Sequence, residues 1–314
     1  MMALVEQNMA RDEGLDVEGI AAQLRDLRTL SQRRRYRGVA PKLPSRKTLI
    51  AAFDDLVAAL YPRHFGPQGL SAQAVHEFVG KTLRTALRAL EGQIRLELTL
   101  AAEGVGAAQP EPWRAGEITR LFASALPTIR AITDSDARAG FEGDPSAASV
   151  DEVIFSFPGF AAVLRHRLAH KLYILGAPML ARMASEDAHG HSGVDIHPGA
   201  QIGERFFIDH GTGVVIGETT IIGRNVRLYQ GVTLGAKRFE TDDSTGALRK
   251  SYPRHPIVED DVVIYAGATI LGRITIGKGS SIGGAVWLTH SVPPGSHIAQ
   301  AKPRYDTFDD GAGI

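Results

Sequence analysis

Aliphatic residues recur every six positions after Gly193, and this spacing limits the possible fold more than any other feature of the chain. The first series is Ile196, Ile202, Ile208, Val214, Thr220, Val226 and Val232, of which all but Thr220 are aliphatic, and the second is Val258, Ile264, Ile270, Ile276, Ile282 and Leu288. An α-helix repeats every 3.6 residues and an alternating strand every two, so neither explains a period of six. A six-residue repeat is typical of a parallel β-helix, in which the aliphatic residue of each hexad fills the axis of a triangular coil. The spacing predicts a left-handed parallel β-helix over residues 194–298.

A polar segment separates the two series. Val232 and Val258 are 26 residues apart, two more than four hexads, so we expect the phase of the repeat to slip there. The segment is rich in turn-forming residues, which predicts a loop over 236–254 that protrudes from the solenoid. Loops of this kind often carry functional residues.

The first half of the chain has a helical pattern. Apolar residues recur at spacings of three and four in 51–61 and 74–103, and a second helical block covers about 149–188. We therefore predict an α+β protein with an all-helical domain over 16–190. Residues 1–15 are expected to be disordered, and residues 299–314 form a C-terminal tail.

Composition excludes several classes of function. The chain has no cysteine, which rules out disulfides, thiolate zinc sites and cysteine nucleophiles. Its 35 basic and 35 acidic residues give a formal net charge of zero, so neither nucleic acid nor an anionic membrane is an expected partner. No apolar run is long enough to span a membrane, and the N-terminus does not resemble a secretory signal, so we expect a cytoplasmic protein.

Two polar pairs are candidates for chemistry. Asp209 and His210 interrupt the hexads directly after Ile208, and Asp195 lies 15 residues earlier, just short of one coil. An imidazole held by a carboxylate is a common general base, although a surface turn explains the same residues equally well. Arg254 and His255 end the polar loop, where the guanidinium could bind a carboxylate or be an ordinary solvated group.

Further motifs surround these residues. They are GDPSA (143–147), DEVIFSFPGF (151–160), HRLAHKLY (166–173), DIHPGAQIG (195–203), IDHGTGVVIGET (208–219), VTLGAK (232–237), PRHPIVEDDVVIYAGATILG (253–272) and SVPPGS (291–296). Together they closely resemble bacterial serine acetyltransferases from about residue 140 to 305. The upstream helical region is similar to the extended N-terminal domain of one branch of that family.

The resemblance implies transfer of acetyl from acetyl-CoA to the hydroxyl of L-serine, the first step of cysteine synthesis, without a metal or a permanently bound cofactor. It implies that His210 is the general base and that Asp195 orients it. The residues implied for binding serine are Asp144, Asp209, Arg254, His255 and Glu218. Those implied for acetyl-CoA are Gly235, Ala236, Ala266, Gly267 and Gly284. The family's site lies between neighbouring solenoids, so a homo-oligomer built on trimers is expected.

The tail ends in Ile314. In several serine acetyltransferases a C-terminal Ile enters the active site of O-acetylserine sulfhydrylase, so the resemblance implies this enzyme as a partner; a disordered tail is the alternative.

Three other functions compete. Another hexapeptide-repeat acyltransferase would lack this set of motifs. A γ-type carbonic anhydrase would bind zinc through three histidines, and His197, His210 and His255 do not have the required spacing. His166 and His170, four apart on a helix, lack an obvious third ligand, so packing explains them better. A purely structural solenoid would leave Asp195 and His210 without a role.

Overall fold

The computed structural model describes residues 15–36, 38–105, 108–242 and 244–301, in which helices precede strands. The tail with Ile314 lies outside the described residues. The helices are α1 (Val17–Arg35), α2 (Arg46–Leu60), α3 (Pro62–Phe65), α4 (Ala72–Val105), α5 (Arg114–Gly143), α6 (Val150–Ser156), α7 (Pro158–Ile174) and α8 (Pro178–Ser192).

Local sequence explains where several helices begin. Asp16, Ser45 and Ser149 cap α1, α2 and α6, because each side chain accepts a hydrogen bond from the backbone N–H three residues later. Proline occupies the first turn of α3, α7 and α8, where a missing N–H has no cost. Gly193, with φ of 69°, ends α8 in the left-handed conformation that glycine adopts readily.

The helical domain has one apolar core. Helices α2 and α4 to α8 contribute its buried side chains, which include Phe53, Leu90, Phe122 and Leu168. Helix α1 contributes none of them. Its apolar residues Val17, Ile20, Leu24, Leu27 and Leu30 are each about half exposed, so its apolar face is uncovered within the described chain.

The second half is a left-handed parallel β-helix of short strands on three faces. Face 1 contains β1 (Asp195–Ile196), β4 (Val215–Ile216), β7 (Thr233–Gly235), β10 (Thr269–Leu271) and β13 (Trp287–Leu288). Face 2 contains β2 (Gln201–Ile202), β5 (Ile221–Ile222), β8 (Ile257–Val258) and β11 (Thr275–Ile276). Face 3 contains β3 (Phe207–Ile208), β6 (Arg227–Leu228), β9 (Val263–Ile264), β12 (Ser281–Ile282) and β14 (His297–Ile298).

The phase of the repeat slips at a different place from the one predicted. Ile208 is the buried second residue of β3, and the corresponding residue of β4 is Ile216, eight residues later, so the two extra residues fall in the segment between these strands, which contains Asp209 and His210. The predicted residues Val214, Thr220, Val226 and Val232 are buried, but each precedes the second residue of a strand by two. Each hexad buries two residues: the second residue of the strand and the residue two positions before it. The six-residue series in the sequence therefore changes from the first kind to the second at the slip, and no break in the spacing is visible. The polar loop between β7 and β8 keeps the phase, since Leu234 and Val258 are 24 residues apart.

A buried ion pair joins the helices to the solenoid. The Arg167 guanidinium on α7 donates to both oxygens of Asp136 on α5, at 2.6 and 2.9 Å. It also donates to the carbonyls of Ile202 and Gly203, at 3.0 and 2.8 Å. Asp136 in turn accepts from the Phe206 N–H at 2.9 Å. These contacts fix the end of α5 relative to the first coil.

Candidate active site

His210 lies on a tight turn at the corner between faces 3 and 1. The Gly211 N–H donates to the Asp209 carbonyl at 2.7 Å, and His210 has a φ of 59°. A three-residue turn with positive φ at a residue other than glycine is strained, so surrounding packing must hold it. The turn directs the imidazole outward, and the His210 side chain is 71% exposed.

Helix α7 supplies part of that packing, because its first turn contacts β3 directly. A β-carbon at Gly159 would lie 2.1 Å from the Ile208 carbonyl oxygen, so only glycine fits there. A β-carbon at Gly211 would lie 2.9 Å from a methyl group of Val194. The start of α7 therefore sets the position of the His210 turn.

Asp209 lies beside the imidazole and is itself held by an arginine. Its Oδ2 accepts from Arg227 Nη2 at 2.7 Å, and its Oδ1 is 3.8 Å from His210 Nε2. The Asp209 side chain is buried. One carboxylate oxygen is thus fixed by Arg227 while the other faces the imidazole.

Asp144 reaches the same corner from the end of α5. Its Oδ1 accepts from the Ser146 N–H at 2.8 Å and the Ser146 hydroxyl at 2.7 Å. These bonds hold the pKa of Asp144 below its ordinary value, and the nearby Arg227 charge lowers this pKa further. Asp144, Asp209, Arg227 and His210 form what we call the His210 cluster.

A second cluster occupies the corner between faces 1 and 2. Arg254 Nη2 donates to Glu218 Oε2 at 2.6 Å, and the Tyr173 hydroxyl donates to Glu218 Oε1 at 3.0 Å. Burial alone would raise the pKa of Glu218, but these two hydrogen bonds outweigh it and lower the pKa. Glu218 is therefore a fixed carboxylate that orients the Arg254 guanidinium.

His255 belongs to this second cluster and is neutral. Its Nδ1 accepts from the Thr219 N–H at 3.1 Å, which leaves the proton on Nε2. Burial and the Arg254 charge lower the pKa of His255 to about 4. A β-carbon at Gly217 would lie 2.0 Å from this ring, so the glycine makes room for it. We call Glu218, Arg254 and His255 the Arg254 cluster.

The two clusters are separate in one chain, because face 1 lies between their corners. Asp195 lies on this face, where β1 pairs with β4 in the register Asp195 to Val215. Among the ion pairs of the described residues, His210 contacts Asp209, and Asp195 contacts no basic side chain. The predicted contact between Asp195 and His210 is therefore not formed in the single chain.

The residues predicted to bind acetyl-CoA also fall in two places. Ala266, Gly267 and Gly284 lie on the His210 corner in later coils, where Gly267 donates to the Gln230 carbonyl and Ala285 to the Ala266 carbonyl. Small residues line this corner; a β-carbon on Gly231 would lie 3.4 Å from the Gly267 α-carbon. Gly235, which pairs with Leu271, ends β7 at the other edge of face 1, and Ala236 follows it.

Sequence reasoning missed two residues that contact the predicted ones. Arg227 binds Asp209, and Tyr173 binds Glu218. An outward arginine on a strand has the pattern of an ordinary surface residue, so the sequence carries no signal for the first. Tyr173 ends the HRLAHKLY motif, but the motif alone does not indicate contact with Glu218. That contact becomes evident only when the position of α7 against the solenoid is known.

The described residues contain no group of three His, Asp or Glu side chains arranged to hold a metal ion. Within the same residues, no helix has the length and apolar character needed to cross a membrane.

Comparison with known proteins identifies the family. No family model matches the chain. A plasmid serine acetyltransferase of Synechococcus elongatus is 55% identical over 276 residues, which cover 87% of this chain and 86% of that protein. The chain belongs to the serine acetyltransferase family. Serine acetyltransferase isoform 3 of Entamoeba histolytica, solved in complex with cysteine, has a TM-score of 0.68 and 31% identity, covering 87% of both chains. A soybean serine acetyltransferase solved in complex with serine has a TM-score of 0.51 and 28% identity, covering 79% of this chain and 95% of that one.

Membership of the family confirms the fold predicted from the hexapeptide repeat and the resemblance drawn from the motifs. It does not by itself assign roles to the residues of the two clusters.

Proposed function

We propose that the chain transfers acetyl from acetyl-CoA to the hydroxyl of L-serine, giving O-acetyl-L-serine and CoA, with His210 as the general base. The observation that carries this proposal is the outward imidazole on a strained turn, next to Asp209 and Asp144. Family membership supports the choice of substrates.

The chemical step needs one base and no metal. Neutral imidazole takes the proton of the serine hydroxyl as the oxygen attacks the thioester carbonyl. The tetrahedral intermediate collapses, the carbon–sulfur bond breaks, and the proton on His210 passes to the leaving thiolate of CoA. Asp195 orients the imidazole and stabilises its charged form. That contact requires the exposed His210 side chain to turn toward face 1.

Serine binding uses both clusters. Asp144 and Asp209 face the substrate ammonium, while Arg254 and His255 bind its carboxylate. Glu218 holds the Arg254 guanidinium ready for this contact. Because the clusters lie on different corners of one solenoid, we propose that the His210 cluster of one copy meets the Arg254 cluster of a neighbouring copy within a trimer.

Acetyl-CoA lies along the solenoid at this interface. The small residues Ala266, Gly267 and Gly284 allow its pantetheine arm to approach the backbone above His210, and Gly235 and Ala236 contact it from the other edge of face 1. Larger side chains at these positions would occupy the space that the pantetheine arm needs.

The helical domain joins trimers to one another. Helix α1 supports this step, because its half-exposed apolar side chains have no partner within the described chain. The helix has Glu18 in its first turn and Arg33, Arg34 and Arg35 in its last, so antiparallel pairing with a second copy brings opposite charges together. Docking of Ile314 into O-acetylserine sulfhydrylase remains part of the proposal.

The test is CoA release from acetyl-CoA, measured with a thiol reagent in the presence and absence of L-serine. Wild-type protein should show serine-dependent release that falls by about a hundredfold or more in His210→Ala. His189→Ala, which removes an exposed imidazole from α8, is the matched control and should behave as wild type. Serine-dependent release that persists in His210→Ala would contradict the general-base assignment.

A further inference from the structure

We propose that Arg227 is a positioning residue of the serine site: its guanidinium fixes Asp209 beside His210 and joins this corner to the Asp144 turn. This inference rests on the proposed function, in which the carboxylates of Asp144 and Asp209 bind the serine ammonium.

Aromatic rings hold the Arg227 side chain in place. Its guanidinium carbon lies 5.2 Å from the centre of the Phe207 ring and 4.7 Å from that of Tyr229. Phe207 pairs with Arg227 on face 3, and it is buried under the end of α5. A planar guanidinium stacked on aromatic faces loses much of its freedom, so Arg227 presents its donors in a fixed direction.

The fixed guanidinium gives the two Asp209 oxygens different environments. Oδ2 receives the Arg227 Nη2 donor at 2.7 Å, whereas Oδ1 faces the imidazole of His210. A carboxylate anchored through one oxygen keeps the other in a constant position. Without Arg227, Asp209 would be free to rotate away from both His210 and the substrate.

Arg227 also reaches the Asp144 turn. A β-carbon at Gly143 would lie 3.6 Å from Arg227 Nη1, so the guanidinium lies against the carbonyl end of α5, where a cation is favoured. Its positive charge contributes to lowering the pKa of Asp144. One side chain thus contacts Asp209 and supports the ionised form of Asp144.

Charge balance explains why an arginine suits this position. Two neighbouring carboxylates without a cation repel each other, and one of them tends to hold a proton. With Arg227 present, the pair and the guanidinium carry one net negative charge, which matches a single ammonium group. This balance favours a substrate that carries one positive charge at this corner.

One feature of Arg227 argues against a role in stability alone. Its Nε is buried and has no hydrogen-bond partner among the described residues. A buried donor without a partner costs free energy. The side chain keeps this orientation because Asp209 and the rings of Phe207 and Tyr229 hold it. This cost is consistent with a residue whose role is to position Asp209 in the serine site.

Steady-state kinetics of three variants test the assignment. Arg227→Met keeps an unbranched apolar stem but removes the donors and the charge; Arg227→Lys keeps the charge. Arg224→Met removes an exposed arginine from the turn before the same strand and is the matched control. We expect Arg227→Met to raise KM for serine by about tenfold or more, because Asp209 loses the charge-assisted hydrogen bond that holds it in place to bind the ammonium. KM for acetyl-CoA should be unchanged. Arg227→Lys should recover part of the loss, and Arg224→Met should match wild type.

The pH profile provides a readout that a structural role would not move. Asp144 is faced by Ser146 in its own turn, Arg227 on β6 and His210 at the corner. Loss of the Arg227 charge raises the pKa of Asp144, so the acid limb of serine affinity against pH, measured by equilibrium binding, should move to higher pH in Arg227→Met. The same limb should stay in place in Arg224→Met.

Each outcome decides one question. An active wild type together with an unchanged serine KM in Arg227→Met would overturn the role of Arg227 and leave the proposed function intact. Equal changes in kcat and both KM values, in step with a lower melting temperature, would show that Arg227 only supports the fold. A wild type and an Arg224→Met variant that both lack serine-dependent CoA release would overturn the proposed function and this inference with it.

Discussion

Removal of the Asp136 carboxylate should destabilise the junction between the helical domain and the solenoid. In wild-type protein the Arg167 side chain is 7% exposed and the Asp136 side chain 1%. In Asp136→Ala the guanidinium keeps its bonds to the carbonyls of Ile202 and Gly203 but loses its counter-charge, and the Phe206 N–H loses its acceptor. Removal of one partner from a buried ion pair costs about 3 to 5 kcal/mol.

Since unfolding entropy is about 2.1 cal/mol/K per residue, that cost corresponds to a fall in melting temperature of roughly 5 to 8 °C for a chain of 314 residues. Calorimetry or urea unfolding would measure it. Glu142→Ala is the control, because it breaks an exposed pair between Glu142 on α5 and Arg205, which contributes at most about 1 kcal/mol. The double variant Asp136→Leu with Arg167→Met should regain most of the stability, since no charge is then buried. If Asp136→Ala were no less stable than Glu142→Ala, the pair would not join the two domains as argued.

Two further predictions concern the solenoid. Thr220 is fully buried, and its hydroxyl has no partner among the described residues, so Thr220→Val should raise the free energy of unfolding by about 1 kcal/mol in urea titration; a decrease would show that the hydroxyl is satisfied. The pKa of His255 is about 4 in the folded chain, against about 6.5 for an unfolded histidine. Between pH 6.5 and pH 4, the unfolded chain therefore binds more protons at this residue than the folded chain does. The contribution of His255 to stability is therefore complete above pH 6.5 and lost as pH falls toward 4; an NMR titration midpoint near 6.5 would contradict the buried, neutral ring.

The repeat predicted the fold because each hexad must bury an aliphatic side chain. It misplaced the phase slip for a physical reason, since Val214 and Ile216 are both buried and either could be the strand residue. The pairing of β1 with β4 in the register Ile196 to Ile216 shows that two residues are inserted in the segment between β3 and β4, which contains Asp209 and His210. The six-residue spacing continues across the segment that contains His210, so the sequence alone did not show the two-residue insertion there.

The site was predicted as a set of residues but not as an arrangement. The motifs named His210 and Arg254, yet spacing along the chain does not say which corner of the solenoid each occupies. The structure places them on opposite edges of face 1. Arg227 escaped prediction because its importance comes from the turn that holds Asp209 and from the end of α5, which are distant in sequence.

The most direct test of the account is complementation between two inactive variants. His210→Ala loses the base but keeps the Arg254 cluster, whereas Arg254→Ala keeps the base but loses the carboxylate site. In co-expressed mixed trimers, one interface combines the two intact clusters, so random assembly should restore about one quarter of wild-type sites. Recovery of serine-dependent CoA release to about that level would support a site shared between copies. Mixed trimers as inactive as each variant alone would contradict it and place all the residues of one site in a single chain.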